Sequence, residues 1–280
     1  MTFEYFFWEK SQIFAMEDGG ASLGFDLYSA GHLIWLAAIV AAGIIISSIY
    51  RGLGGGNSVW IRSNAVENAV DRRVQERRRA NMRRFFAVAL LLSEIYKDTV
   101  LAVTGNFKWE YLPFHLCGLA IFALLLDAFA GRQKLTEQLI SYAFMPGAVS
   151  ALLFCNWTEY PFLNFMNIHS FLFHGWIFFY FLMRYRSGEY RPDYRGLWKT
   201  VGIMILLVPP LFAFNSHFGT NFLFVNEASE GSPLVPIWNL LGTRFGHPGY
   251  LAGCVLLVIA GFHALYLLYR VLGRRQRRHS

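Results

Sequence analysis

Hydrophobic and polar positions divide the chain into long apolar blocks joined by short polar connections. A helix crossing the hydrocarbon region of a bilayer takes about 20 predominantly apolar residues. Seven stretches meet that requirement, near 31–50, 85–104, 111–130, 138–155, 162–183, 200–218 and 248–269. Charged residues well inside these blocks are confined to Glu94, Lys97, Asp98 and Asp127. The pattern predicts an all-α, polytopic membrane protein with seven transmembrane helices. An interfacial segment is expected over 1–30, the transmembrane domain over 31–271 and a basic tail over 272–280. Pro209 and Pro210 remove two adjacent backbone donors, so the sixth span is expected to be kinked or split. The loop 219–247 is expected to carry a short interfacial helix around Ile237, Trp238 and Asn239.

Composition supports the membrane reading. The 280 residues are 55% hydrophobic and 15% charged, against about 25% charged in soluble domains. Three cysteines cannot staple a chain of this length, which excludes a disulfide scaffold. A net charge of +7 suggests nucleic acid until the basic residues are located. Nine fall in 51–84, two in 131–137, five in 184–199 and five after 269, whereas Lys10, Lys108 and Arg244 are the ones on the other side. Short cytoplasmic loops are enriched in Lys and Arg. The N-terminus is therefore expected outside and the C-terminus in the cytoplasm, in a multi-pass protein of the cell membrane. The run from Arg72 to Arg84 reads as a topogenic segment facing lipid headgroups, and no nucleic-acid partner is expected.

Polar residues that are expensive to bury mark candidate sites in such a protein. With this orientation His32, Glu94, Lys97, Asp98, His115, Cys117, His169, His174 and Asn215 all fall in the outer half of their spans, which predicts a polar cavity on that side. Glu94, Lys97 and Asp98 stand at i, i+3 and i+4 on one helix face and form a charged cluster. Cys117 follows Leu112, Pro113, Phe114, His115 and Leu116 about one turn inside a helix start, an environment that promotes the thiolate. His115 lies on another face, so a base must come from a different helix, and His174 is the preferred candidate. Cys117 and Cys155 both lie in outer halves, which is compatible with a disulfide between them. No pair of histidines stands at i, i+4 and there is no His-Glu-x-x-His, so no metal site or cofactor is expected.

The ordered set Leu112-Pro113-Phe114-His115-Leu116-Cys117, Ser170-Phe171-Leu172-Phe173-His174-Gly175, and Asn215 followed by Gly219-Thr220-Asn221-Phe222-Leu223-Phe224 resembles the YwaF family of bacterial integral membrane proteins. That family is similar to eukaryotic transmembrane acyltransferases that remodel ether phospholipids, and more distantly to membrane hydrolases of fatty-acid esters. The resemblance implies that Cys117 is the acyl-accepting nucleophile and His174 its general base, with His115 and Asn221 as further motif residues. This chain departs from the family in its longer loop 51–84 and in Met145-Pro146-Gly147, which replaces a Trp-Gly segment. The expected function is transfer of an acyl group through a Cys117 thioester, with a membrane phospholipid or lysophospholipid as partner. Asn221, Asn215 and His115 are all candidates to stabilise the oxyanion, and His32 and His169 are candidates for substrate contact. The alternative is an outward-facing transporter or small-molecule binding protein without covalent chemistry, motivated by the charged cluster, the expected break at Pro209-Pro210 and the outward cavity.

Overall fold

The computed structural model describes residues 6–7, 24–54, 65–131, 133–229 and 232–278. Most of the interfacial segment expected over 1–30, and residues 55–64 of the basic loop, lie outside that set. The helices are α1 Ala30–Gly52, α2 Ala65–Val103, α3 Leu116–Phe129, α4 Lys134–Leu139, α5 Met145–Leu153, α6 Phe165–Arg186, α7 Tyr194–Phe218, α8 Val235–Ile237 and α9 Thr243–Arg278. No strand occurs among the described residues. Four helical segments are long and apolar enough to cross a membrane: Ala30–Gly52, Phe165–Arg186, Tyr194–Phe218 and Val235–Gly273. Leu116–Phe129 is a shorter apolar helix. Helix α2 spans 39 residues; its arginine-rich first half and the Glu94, Lys97, Asp98 cluster lower its apolar character.

Helix α6 is the hub, packing against α1, α2 and α5. Its N-terminus is capped by Asn164, whose side chain accepts from the Met166 N–H at 2.8 Å. Helix α1 buries His32, Ile39, Gly43, Ser47 and Tyr50 along one stripe and leaves Leu33, Ile34, Val40, Ile44, Ile45 and Ile49 exposed on the other. That is the inverse of a soluble helix, whose outer face is polar. Gly43 makes the α1–α6 approach close, since a Cβ there would sit 2.9 Å from the Phe178 ring.

Of the two expected effects of Pro209 and Pro210 a split is not seen, since helix α7 runs continuously through both. Pro146 instead coincides with a π-helical turn over Ile140–Phe144 that joins α4 to α5. A proline takes away the bond to the carbonyl four residues back, and a wider turn absorbs the mismatch. Tyr269 secures this turn by donating to the Ser141 carbonyl at 2.8 Å. The strongest backbone break lies at Gly246, just before Pro248, where φ is 68° and ψ is −166°. The expected interfacial helix corresponds to α8 and the π turn Trp238–Gly242.

A buried ion network ties the arginine-rich end of the bundle together. Arg184, counted above with the loop residues, is only 1% exposed. Its Nη1 donates to Asp127 Oδ2 of α3 at 2.8 Å, and its Nε stands 2.7 Å from Glu189. Tyr180 donates to the same Asp127 oxygen at 2.6 Å. Glu189 in turn accepts from Tyr50 of α1 and pairs with Arg79 and Arg83 of α2. Tyr190, in the connection after α6, stacks under the Arg184 guanidinium, and burial pushes its hydroxyl well above the usual range. A buried pair of this kind is costly to break from one side, because the remaining charge stays desolvated. Arg184→Met is therefore expected to lower unfolding stability in detergent by about 3–5 kcal/mol, whereas Lys134→Met at a largely exposed ion pair changes it by about 0–1 kcal/mol. Denaturant titration of both variants checks this, and equal losses would contradict it.

Candidate functional site

The opposite end of the bundle holds the predicted site residues. The chain enters α3 through an extended Leu112 and an extended His115 at the N-cap. The Phe114 N–H turns back to the Leu112 carbonyl at 2.8 Å, and the first helical bond runs from the Leu119 N–H to the His115 carbonyl at 3.0 Å. Gly118 permits the fold-back, because a Cβ there would meet the Pro113 backbone at 2.6 Å. Leu116 and Cys117 thus sit in the first turn, where backbone N–H groups have no intrahelical acceptor. Cys117 and His115 are both half-buried. The His115 ring packs against Phe222 and Phe224 at 5.0 and 5.6 Å between centroids.

The charged cluster is consumed internally. Lys97 Nζ stands 2.6 Å from Glu94 and 3.2 Å from Asp98, and donates to the Tyr111 carbonyl at 3.0 Å. Glu94 and the Tyr111 carbonyl take two of its N–H groups, and Asp98 stands beside it as an ion pair. His169 of α6 approaches Glu94 at 3.8 Å, too far for a hydrogen bond, and its Nε2 is buried without one. His174 lies further along α6, half-buried, with Trp157 stacked on its ring at 4.9 Å. Lys97, His115, His169 and His174 are contributed by α2, the start of α3 and α6.

Hydrogen bonds assign the protons of His174 and His32. His174 Nδ1 faces the Ser170 carbonyl at 2.6 Å. A carbonyl only accepts, so Nδ1 carries the proton and Nε2 carries the lone pair. Among the described residues nothing occupies that Nε2, and no hydrogen bond joins it to Cys117. His32 has the opposite arrangement. Its Nδ1 accepts from the Tyr28 N–H at 2.9 Å, and its Nε2 donates to the Leu152 carbonyl at 2.8 Å. Cys155 lies 3.5 Å from the same Nε2. This Cys–His contact was missed from sequence, and it has no free lone pair to act as a base. His32 is fully buried and holds α1 against the end of α5. All three cysteines are free thiols.

Asn215 is fully spent. Its amide donates to the Phe222 carbonyl and to Asn226 at 3.1 and 3.0 Å, and its carbonyl accepts from Thr220 and from the Phe222 N–H, both at 2.9 Å. No N–H remains for an oxyanion. Asn221 similarly ties down the same turn, donating to the Glu227 carbonyl and accepting from the Asn226 N–H. The purpose is visible in the backbone: Leu223 and Phe224 have φ of 54° and 55°. Two successive non-glycine residues in the left-handed region cost about 1–3 kcal/mol each and persist only where surroundings over-determine them. Tyr250 and His247 of α9 add the remaining restraints, donating to the Phe224 and Val225 carbonyls at 2.7 Å each.

This strained turn closes one end of a cavity of about 550 Å³ between α5, α7 and α9. Its wall includes Leu116, Gly147, Val208, Phe224, Cys254 and Phe262 and is almost wholly apolar. Leu116 lies between His115 and Cys117, so the cavity begins beside the α3 N-terminus. The sequence signal for it was the Asn215 to Phe224 motif, and the contributions of Tyr250 and His247 carried none. No cluster with metal-ligand composition occurs among the described residues.

A comparison with known families matches the TMEM164 family over residues 27–266. The chain belongs to the TMEM164 family. Membership and the apolar helices together make it a multi-pass membrane protein. No curated protein and no solved structure matches it. The matched range takes in both ends of the bundle, from His32 through Asp127 and Arg184 to Tyr250. The hydrogen bonds of Asn215 make its network a structural element. Asn215→Ala leaves the Phe222 backbone groups and Thr220 unpaired, and is expected to cost about 2–4 kcal/mol. Thermal unfolding in detergent checks this; a loss below about 0.5 kcal/mol would contradict the assignment.

Proposed function

We propose that the protein is an integral-membrane acyltransferase in which Cys117 is the nucleophile and His174 the general base. In the same reading the chain crosses the cell membrane seven times, with its N-terminus outside and the Cys117 end of the bundle in the outer leaflet. The observation that carries the proposal is the state of His174, whose Nδ1–H is committed to Ser170 and whose Nε2 lone pair is unspent. That is the tautomer a base needs. The apolar cavity supports it by offering a place for one acyl chain beside Leu116.

The chemistry balances as two half-reactions. The Cys117 S–H proton passes to His174 Nε2, and the thiolate attacks the ester carbonyl of a phospholipid. The ester C–O bond breaks, the departing lysolipid alkoxide takes the proton from His174, and the acyl group remains as a thioester. An acceptor lysophospholipid hydroxyl then gives its proton to His174 and attacks the thioester carbon. The C–S bond breaks and the thiolate is reprotonated. Water in place of the acceptor gives hydrolysis. The oxyanion of both steps needs donors. With Asn215 spent and Asn221 bound to Glu227, the free N–H groups of Leu116 and Cys117, together with His115, are the groups placed to supply them. For the transporter alternative the cavity remains as a motivation, while the charged cluster is paired internally and α7 is continuous through its prolines.

The test is transfer of a labelled acyl chain from phospholipid to lysophospholipid by reconstituted protein. Cys117→Ala is expected to abolish transfer, and His174→Gln to slow it by about 10²–10⁴-fold, with both variants retaining wild-type melting behaviour within about 1 kcal/mol. Transfer at the wild-type rate by Cys117→Ala would overturn the proposal.

A further inference from the structure

The arginine-rich end of the bundle carries a second cavity, of about 370 Å³, lined by Ser48, Arg51, Gly54, Arg79, Arg186 and Ser187 among others. Its described lining holds three arginines and no acidic residue. The carboxylates that pair with arginines at this end, among the described residues, are Asp127 and Glu189. Both carboxylates are already taken: Asp127 by Arg184 and Tyr180, and Glu189 by Tyr50, Arg79, Arg83 and Arg184. Arg51 and Arg186 have no carboxylate partner among the described residues. Arg186 leans on neutral oxygens, donating through Nη1 to Ser47 at 2.5 Å and to the Ile44 carbonyl at 3.3 Å. Its remaining donors are uncommitted. Arg79 donates to the Arg51 carbonyl at 3.3 Å and keeps a buried Nε without a partner.

Three arginines from three helices thus line one polar recess, with excess positive charge among the described lining and unused N–H donors on Arg79 and Arg186. Such forks match the oxygens of a phosphate group in geometry as well as charge. We propose that the Arg51–Arg79–Arg186 recess binds a phosphate group. The setting favours a phosphorylated lipid headgroup as its source. Ser48 and Arg51 interrupt the exposed apolar face of α1, where Ile45 and Ile49 are 59% and 54% exposed, so acyl chains would lie along that face with the headgroup at the recess. The site stands at the far end of the bundle: 12 residues of α6 separate His174 from Arg186, about 18 Å along a helix. It is independent of the acyl-transfer proposal.

The experiment measures the affinity of full-length protein in detergent for dioctanoyl phosphatidic acid, dioctanoyl phosphatidylcholine and inorganic phosphate, through the rise in melting temperature with concentration. Wild type is expected to bind phosphatidic acid more tightly than phosphatidylcholine. The Arg51→Gln/Arg186→Gln variant is expected to lose about tenfold or more in affinity. Ser48→Asp, which leaves every arginine in place and puts a carboxylate in the recess, should reproduce that loss. Arg84→Gln, on the exposed face of α2, should not change the affinity. Binding of inorganic phosphate as tight as that of phosphatidic acid, and equally sensitive to the variants, supports the site with a soluble anion as its ligand. Phosphatidic acid binding unchanged in both recess variants, or reduced as much by Arg84→Gln, overturns it.

Discussion

The pairing of Arg184 with Asp127 and Glu189 is the constraint on which the bundle depends. A guanidinium desolvated to this degree is tolerable only with carboxylates on its donors, and those carboxylates come from α3 and from the connection after α6. Tyr50 extends the network to α1, and Arg79 and Arg83 extend it to α2. In a lipid-embedded bundle, apolar contact alone gives little preference for one helix partner over another, because lipid tails are as apolar as leucine. Polar groups that must find each other set which helices meet. Here one arginine side chain indexes four helices at one end, and the apolar α1–α6 seam closes the distance between ends.

At the other end the same economy separates structure from chemistry. Most buried polar groups are spent on neighbours: Lys97 on Glu94, Asp98 and Tyr111, His32 on Tyr28 and Leu152, Asn215 on the Phe222 turn. Groups that keep uncommitted capacity include the Cys117 thiol and the N–H groups at the start of α3, the His115 ring, His174 Nε2 and His169 Nε2. The strained turn at Leu223 and Phe224, held by Asn215, Tyr250 and His247, brings an apolar cavity up to this group. Strain of this kind persists only where the surroundings over-determine the backbone.

Much of this was legible in the sequence because membrane helices write their signature in long apolar blocks. The helix after Pro113, the one capped by Asn164 and the one carrying Pro209-Pro210 all appear near their expected positions. The same-face reading of Glu94, Lys97 and Asp98 follows from helical spacing alone. Other features depend on contacts that no local pattern records. Arg184 was counted as a loop cation because it lies at the end of an apolar block, and only the arrival of Asp127, 57 residues earlier, makes it buried. The contact between Cys155 and His32 spans 123 residues. Proline effects were misplaced for a related reason: whether a proline breaks a helix depends on whether neighbours absorb the lost bond, as Tyr269 helps to do at the π turn before Pro146. Histidine tautomers were beyond reach, since a tautomer is set by which backbone carbonyl or N–H the ring meets.

Membership of the TMEM164 family places these arrangements in a multi-pass membrane protein, and the account turns on whether Cys117 carries an acyl group during turnover. The most direct measurement is peptide mass spectrometry of wild-type protein incubated with a phospholipid of defined acyl chain and no acceptor. The account predicts one acyl chain, released by neutral hydroxylamine, on the peptide carrying Cys117 and on neither of those carrying Cys155 and Cys254. An unmodified Cys117 under conditions where the protein transfers acyl groups, or the chain found on Cys254 in the cavity wall instead, would contradict it.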